Sequence, residues 1–286
     1  MSHSIQIGLD LSAEHPIETQ RQLWNVADEG GFDHLWHDDQ MVAGKPGSLP
    51  DVPTLESWAL LAAKAEATTR VRIGILVSQA LLRHPAMLAK LAATVDRISD
   101  GRVDVGIGSG HGEYGFTMLG LAFPSRAERI GRMAEACSVM KALWTEHEAT
   151  YTGRYYQLIN AVSEPKPIQK PHPPLWIGGR GPTLTLRVVA RHADVWNTTG
   201  GEGFDGDVRA SRLLDEHCQS IGRDPAEIRR SAELWWTTAD TVLPLAESYV
   251  RAGFTELILR LRPGDPIADA NAAQATLPRL RSLAAT

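Results

Sequence analysis

VDVGIGSGHGEYGF, residues 103–116, contains GHGEYG, in which Gly110, Gly112 and Gly115 meet the G-x-G-x-x-G spacing. That spacing marks a Rossmann turn when it closes the first strand of a βαβ unit and opens a helix at once. Here it follows the fourth apolar run, and FTMLGLAFP (116–124) separates it from the next capped helix at Ser125. The match is an accident of the longer run GIGSGHGEYG. The fold is decided instead by the units counted outward from this stretch.

Upstream, IQIGLD (5–10), FDHLWH (32–37) and VRIGILV (71–77) read as strands, and RVDVGIG (102–108) is the fourth. Helical stretches follow the first three, at 16–29, 53–68 and 85–98. Pro16 and Pro85 suit a first helical turn, and Gly30-Gly31 and Asp100-Gly101 mark stops. Downstream, Ser125 and Glu128 have capping-box spacing, and Ile130, Met133, Cys137, Met140 and Trp144 share one face of a helix over 126–145. YTGRYYQLINAVSEPKPIQKPHPP (151–174) has no helical period and reads as a hairpin or an extended insertion. Strands PLWIG (174–178), DVWN (194–197), AELWWTT (232–238) and TELILRL (255–261) alternate with helices 183–192, 206–221, 241–252 and 266–283. Eight strand–helix units in about 250 residues predict an α/β fold, a (β/α)8 TIM barrel in one domain spanning 1–286, with 151–174 inserted before the fifth strand.

Composition narrows the partners. The 286 residues are 43% hydrophobic, with 29 basic and 34 acidic side chains and a net charge of −5. This balance gives no electrostatic reason to expect nucleic acid or an anionic membrane surface. Cys137 and Cys218 are the only cysteines, which fits a reducing cytoplasm better than a disulfide framework. The N-terminus lacks a basic leader, and no run approaches the ~18 apolar residues of a membrane span.

A barrel of this type carries its site on the loops after the C-terminal strand ends. Those loops offer Asp10; His37, Asp38, Asp39 and Gln40; Ser78; Ser109, Gly110, His111, Glu113 and Tyr114; Gly178, Gly179, Arg180 and Gly181; Asn197 to Gly201; Trp236 and Thr237; and Arg260 with Arg262. GGRGPTLTLR (178–187) places three glycines before a helix beginning at Pro182 or Thr183. This arrangement suits a phosphate cradle with Arg180 as a donor fork, or a plain strand–helix turn. Of the adjacent Asp38 and Asp39, one should bond backbone and the other face the barrel mouth. His37 reads equally as a structural histidine. No metal-ligand spacing occurs, so no metal is expected. Ser109 lacks the G-x-S-x-G register of a serine hydrolase.

RHPAMLAKLAATVDRISDGRVDVGIGSG (83–110), SRAERIGRMAEACSVMKALWT (125–145), YTGRYYQL (151–158) and PKPIQKPHPPLWIGGRGPTLTLRVVARHADVWN (165–197) occur in this order. With ESYVRAGFTELILRL (247–261), they make the chain resemble the bacterial luciferase-like flavin and deazaflavin oxidoreductases over most of its length. The resemblance implies a barrel with an insertion and a deazaflavin, coenzyme F420, or alternatively FMN, in the barrel mouth. It puts the cofactor phosphate on Gly178 to Gly181. It aligns Asp39 with the aspartate, and Gln40 with the lost histidine, of the F420 branch's Asp-His pair. It implies a bulge with a non-proline cis peptide at Leu76–Val77, beside Ser78, and ring or phosphate contacts from Gly108, Ser109, Gly110 and His111. Arg83, Arg126, Arg129 and Arg180 could meet an acidic cofactor tail.

Sugar-phosphate-oxidising members carry a catalytic glutamate where this chain has His111, so that activity is not what the resemblance implies. The expected reaction is hydride transfer between the deazaflavin C5 and a small organic substrate. His111 is the first candidate for the accompanying proton, with Asp39 and Glu113 beside it and Tyr114 and His37 behind. An FMN-dependent, oxygen-using monooxygenase and a non-catalytic cofactor-binding relative remain the alternatives. The resemblance also implies a homodimer.

Overall fold

The computed structural model describes residues 5–42, 53–198, 203–261 and 264–283. Thr199, Gly200, Gly201 and Arg262 lie outside this set.

Eight parallel strands close into a barrel: β1 (Gln6–Leu11), β2 (His34–His37), β3 (Arg72–Gln79), β4 (Val103–Gly108), then β7 (Leu175–Gly178), β8 (Val195–Thr198), β9 (Arg229–Trp235) and β10 (Glu256–Arg260), which returns to β1. The two remaining strands, β5 (Ala149–Thr152) and β6 (Gln157–Ala161), form an antiparallel hairpin at the start of the expected insertion. Outside the barrel run α1 (Ile17–Gly30), α2 (Ser57–Ala67), α3 (Pro85–Ile98), α5 (Arg126–Thr145), α6 (Thr185–His192), α7 (Gly203–Ser220), α8 (Ala239–Arg251) and α9 (Pro266–Ser282). Strands covered on both faces read as continuous apolar runs, as β4 does, with all six residues buried.

Local signals fix the helix ends. Gly31 takes a left-handed φ of 89° after α1, Pro85 opens α3, and Ser125 Oγ accepts the Glu128 amide at 3.3 Å. Several boundaries differ from expectation, three of them for identifiable reasons. α2 begins at Ser57, where the Glu56 carboxylate accepts the Ala59 amide at 2.7 Å. β9 begins at Arg229, three residues early, because its polar start pairs with Glu256 at the barrel bottom. The glycine motif does open a helix, α4 (Glu113–Met118), a six-residue turn entered through Gly112 at φ 73°.

Period-2 alternation sorts the strand residues. Ile73, Val105, Ile107, Ala232, Leu234, Leu257 and Leu259 point outward into the core shared with the helices. Trp36, Leu76, Trp176, Val195 and Ile258 form a separate buried cluster filling the barrel. Room for the two indoles comes from glycine: a Cβ on Gly74 would stand 2.2 Å from Trp36. Among the described residues no helix is long and apolar enough to cross a membrane.

Candidate active site

Above the tryptophan layer, the inward positions at the C-terminal strand ends are Asp10, Asp38, Gly108, Gly178, Asn197, Glu233 and Arg260. The last six border a cleft of about 380 Å³ at the barrel mouth. Of the residues singled out from sequence, Asp39, Gln40, Leu76, Val77, Gly108, Ser109, Gly110, His111, Gly178 and Gly179 line it. Ser78, Glu113, Arg180 and Gly181 do not. Ser78 is buried behind the wall. Glu113 is exposed on the first turn of α4. Arg180 is turned away by an ion pair with the buried Asp207, Nη1 to Oδ1 at 3.0 Å. Thr198 and Tyr249 also donate to Asp207, at 2.9 and 2.7 Å, so Nη1 of this arginine braces α7.

The wall of the cleft is the expected bulge. The ladder between β3 and β4 shifts register between Ile75 and Ser78, and the Leu76–Val77 peptide is cis. Val77 sits between two glycines: a Cβ on Gly108 would meet its Cγ2 at 2.5 Å, and one on Gly178 its Cγ1 at 3.3 Å. Side-chain-free neighbours on both sides leave Val77 as a smooth apolar surface.

The rim is tied together by Asp39 and Gln79. The Asp39 carboxylate accepts the Gln79 amide at 2.9 Å and both Arg83 nitrogens, at 2.7 and 3.1 Å. The Gln79 side chain donates to the Asp39 carbonyl at 2.6 Å and accepts the His111 amide at 3.0 Å. Both Asp39 carboxylate oxygens are therefore occupied by protein donors. Asp38 accepts the Ala13 amide at 3.0 Å and the Gln40 side chain at 3.0 Å. Both aspartates bond backbone, and both border the cleft. The His111 side chain is exposed at the rim.

His37 is structural. Its Nε2–H donates to the Ser57 carbonyl at 2.9 Å, and its Nδ1 accepts from the buried Lys64 at 2.7 Å. Burial, then the Lys64 charge, holds His37 well below the usual histidine range. Burial likewise lowers Lys64 to about 7 against the pull of Asp10. Asp10 has no exposure to speak of and both its carboxylate oxygens lack a hydrogen-bond partner. Arg260 Nε lies 3.7 Å away, while Arg260 Nη1 donates to Glu233 at 2.8 Å. Burial raises Asp10 well above the carboxylate range; Arg260 opposes the rise, and Glu233 and Asp38 add to it.

Sequence reasoning passed over Gln79, which lies inside β3, and Glu233, which lies inside β9. Asn197 and Arg260 read from sequence only as loop residues. The overlooked signal is the inward alternation Ser231, Glu233 against the outward Ala232, Leu234.

The residues fit a phosphate-bearing aromatic cofactor. Asn197 Nδ2 is buried at the cleft without a partner, a donor available to a ring. At the cleft edge Gly179 has φ 114°, and beyond it a Cβ on Gly181 would stand 2.7 Å from Arg126 Nη2 and 2.6 Å from Thr185 Oγ1. The space left at Gly181 brings a guanidinium and a hydroxyl to the start of α6, an anion-ready corner. Of the four arginines proposed for an acidic tail, Arg83 and Arg180 are paired, and Arg129 lies over Phe123 at 4.0 Å while donating to Pro124. Arg126 forms no ion pair among the described residues. Among those residues no group of three or more His, Cys, Asp or Glu is disposed to hold a metal.

The family model for luciferase-like monooxygenases matches residues 1–282. An F420-dependent glucose-6-phosphate dehydrogenase of Kineococcus radiotolerans is 32% identical over 237 residues, 80% of this chain and 67% of that one. An FMNH2-dependent dimethylsulfone monooxygenase of Pseudomonas putida is 29% identical over 223 residues, 76% and 60% of the two chains. An uncharacterised protein of Mycobacterium tuberculosis is 36% identical over 181 residues, and the match spans only 62% of its length and of this chain. The fold matches that of an F420-dependent secondary alcohol dehydrogenase in complex with an F420-acetone adduct, at a TM-score of 0.85 and 20% identity, covering 97% of this chain and 99% of that one. The chain belongs to the luciferase-like monooxygenase family.

Proposed function

We propose that this protein is an F420-dependent oxidoreductase acting on a small organic substrate at the barrel mouth. Family membership, with dehydrogenases and monooxygenases among its relatives, makes it an oxidoreductase. The observation that carries the F420 reading is the Val77 wall between Gly108 and Gly178, facing a cleft that leads to the anion-ready corner at Gly181 and Arg126. When bound, the deazaflavin supplies a two-electron hydride carrier at C5.

The chain's own residues have three tasks. Leu76 and Val77 would support the ring, and Asn197 would offer it a buried donor. Gly178 to Gly181, with Arg126 in place of Arg180, hold the phosphate. His111, at the rim and anchored through its amide by Gln79, handles the substrate proton. Asp39 holds the rim and Glu113 takes no part.

The FMNH2-dependent relative supports a second reading, an oxygen-using monooxygenase. Titrating the purified protein with F420 and with FMN separates the two: F420 fluorescence is quenched at micromolar concentration and FMN fluorescence is not. Binding of FMN alone supports the second reading, and binding of neither defeats both. The same proposal places the enzyme in the cytoplasm as a homodimer. Two buried free thiols and the exposed Met87 and Ile98 on α3 support it, and sedimentation at working concentration tests the dimer.

A further inference from the structure

A second cavity of about 240 Å³ adjoins the mouth cleft. The two share three lining residues, Gln40, Gln79 and His111. These form a polar threshold. Beyond it the chamber is lined by Val42, Leu82, Phe116 and Leu119, with Met41 and Tyr114 at its sides. No lysine or arginine appears among the described lining residues.

We propose that this chamber is the substrate site and that it takes an uncharged, mainly apolar compound with one oxygen function, a cyclic ketone or the matching secondary alcohol. The inference rests on reading the adjoining cleft as the cofactor site. The oxygen lies at the threshold, within reach of the His111 imidazole and the Gln40 amide, and the hydrocarbon part lies against Leu82, Phe116 and Leu119. Size agrees with a small ring: at about 30 Å³ per water the chamber holds the liquid volume of roughly eight waters.

Charge argues the same way. A phosphate ester would meet no lysine or arginine among the described lining residues, and its hydration would be lost against Val42, Leu82, Phe116 and Leu119 without return. A hexose would also set several hydroxyls against alkyl and phenyl surface. This separates the chain from the sugar-phosphate dehydrogenases it is similar to.

The test is ligand-detected NMR on the purified full chain, without added cofactor, using cyclobutanone, cyclopentanone and cyclohexanone against glucose 6-phosphate. Affinity should rise about fourfold with each added methylene, and glucose 6-phosphate should not compete. Leu82→Asp should weaken cyclohexanone at least tenfold and leave F420 binding, read by fluorescence, within threefold of the parent. Leu119→Trp, which fills the chamber without a charge, should do the same and stands in if Leu82→Asp does not fold. Competition by glucose 6-phosphate, no dependence on ring size, or undiminished ketone binding in both variants would overturn the proposal. Ketone binding in a protein that ignores F420 would leave this inference standing and remove the F420 reading.

Discussion

The two ends of the barrel interior hold similar charged groups in opposite arrangements. At the bottom, the fully buried His34 lies 3.0 Å from Asp104 and 3.1 Å from Glu256. Arg72 reaches Asp104 at 2.6 Å, and Arg229 pairs with Glu256. The His34 ring stacks on Trp36 and meets Trp176 edge-on, at 5.8 and 5.3 Å between centroids. Every carboxylate there has a cation in contact. At the mouth, Asp10, Asp38 and Glu233 face one arginine, Arg260, and Asp10 has no hydrogen bond at all. The bottom is an electrostatic plug whose charged partners are all protein, with Arg229 and Glu256 at the edge of an outer cleft. The mouth keeps unpaired polar groups, which is where a barrel enzyme places its chemistry.

The largest effect should come from opening the plug. Asp104→Ala leaves His34 and Arg72 buried or half-buried without their shared carboxylate. Breaking a buried pair in this way costs about 3–5 kcal/mol, on the order of 10 °C in Tm. A thermal scan showing less than a few degrees would mean that the plug is not what holds the bottom together. Next in size is Gly108→Ala at the mouth. Its Cβ would fall 2.5 Å from Val77 Cγ2, so the wall must move. Overpacking of this kind costs about 1–3 kcal/mol, and F420 affinity should fall along with it. Gly178→Ala, with 3.3 Å of clearance, should be milder on both measures. Equal effects from the two would rule out Val77 as the surface that matters.

The plug also predicts a pH limb. Burial lowers His34, but Asp104 and Glu256 overcome it and raise its pKa to about 9 from an ordinary 6.5. The folded state therefore binds the His34 proton more tightly than the unfolded chain. That stability is complete below pH 6.5 and is lost as pH rises through 9. At the acid side burial raises Asp104, while Arg72 and His34 pull it down to about 2 from 3.8. Its contribution is complete above pH 3.8 and is lost as pH falls through 2. The urea-midpoint advantage of the parent over His34→Gln should shrink from pH 6 to pH 10, a comparison in which the opposite contribution of Lys64, lowered to about 7, cancels. A flat profile would show that His34 is neutral in the fold.

The contrast between the ends also explains what was legible in the sequence. The barrel was, because strands covered on both faces announce themselves as apolar runs, and eight such runs can be counted. The glycines at 108 and 178 to 181 were visible because a β–α loop with several of them is unusual. The plug was hidden, since His34, Arg72, Asp104 and Glu256 lie on four strands at scattered spacings. Glu233 was missed for a related reason. β9 opens on Arg229, Arg230 and Ser231, polar residues that suggest a loop and pushed the expected strand three residues late. The Arg180 pairing was hidden because its partner Asp207 sits 27 positions on, inside α7. α4 escaped because six residues are too few for a helical period to show.

The smallest effect, and the one that bears most on the mouth, is Asp10→Asn. Burial raises Asp10, so the folded chain holds its proton while the unfolded chain gives it up near pH 3.9. Above that pH the parent must either keep the proton or bury a carboxylate with no hydrogen bond, and each choice costs stability. An amide cannot ionise, so the variant avoids this cost. Its Tm relative to the parent should be unchanged near pH 4 and should drift upward as the pH is raised, by an amount on the order of 1 kcal/mol or less. The Asp104 plug would behave oppositely, since its carboxylate is needed charged. A Tm loss in Asp10→Asn comparable with that of Asp104→Ala would show that Asp10 is ionised and held by Arg260 across 3.7 Å. The mouth would then hold its carboxylates as the bottom does, and Asn197 Nδ2 would be the polar group left over for a ligand.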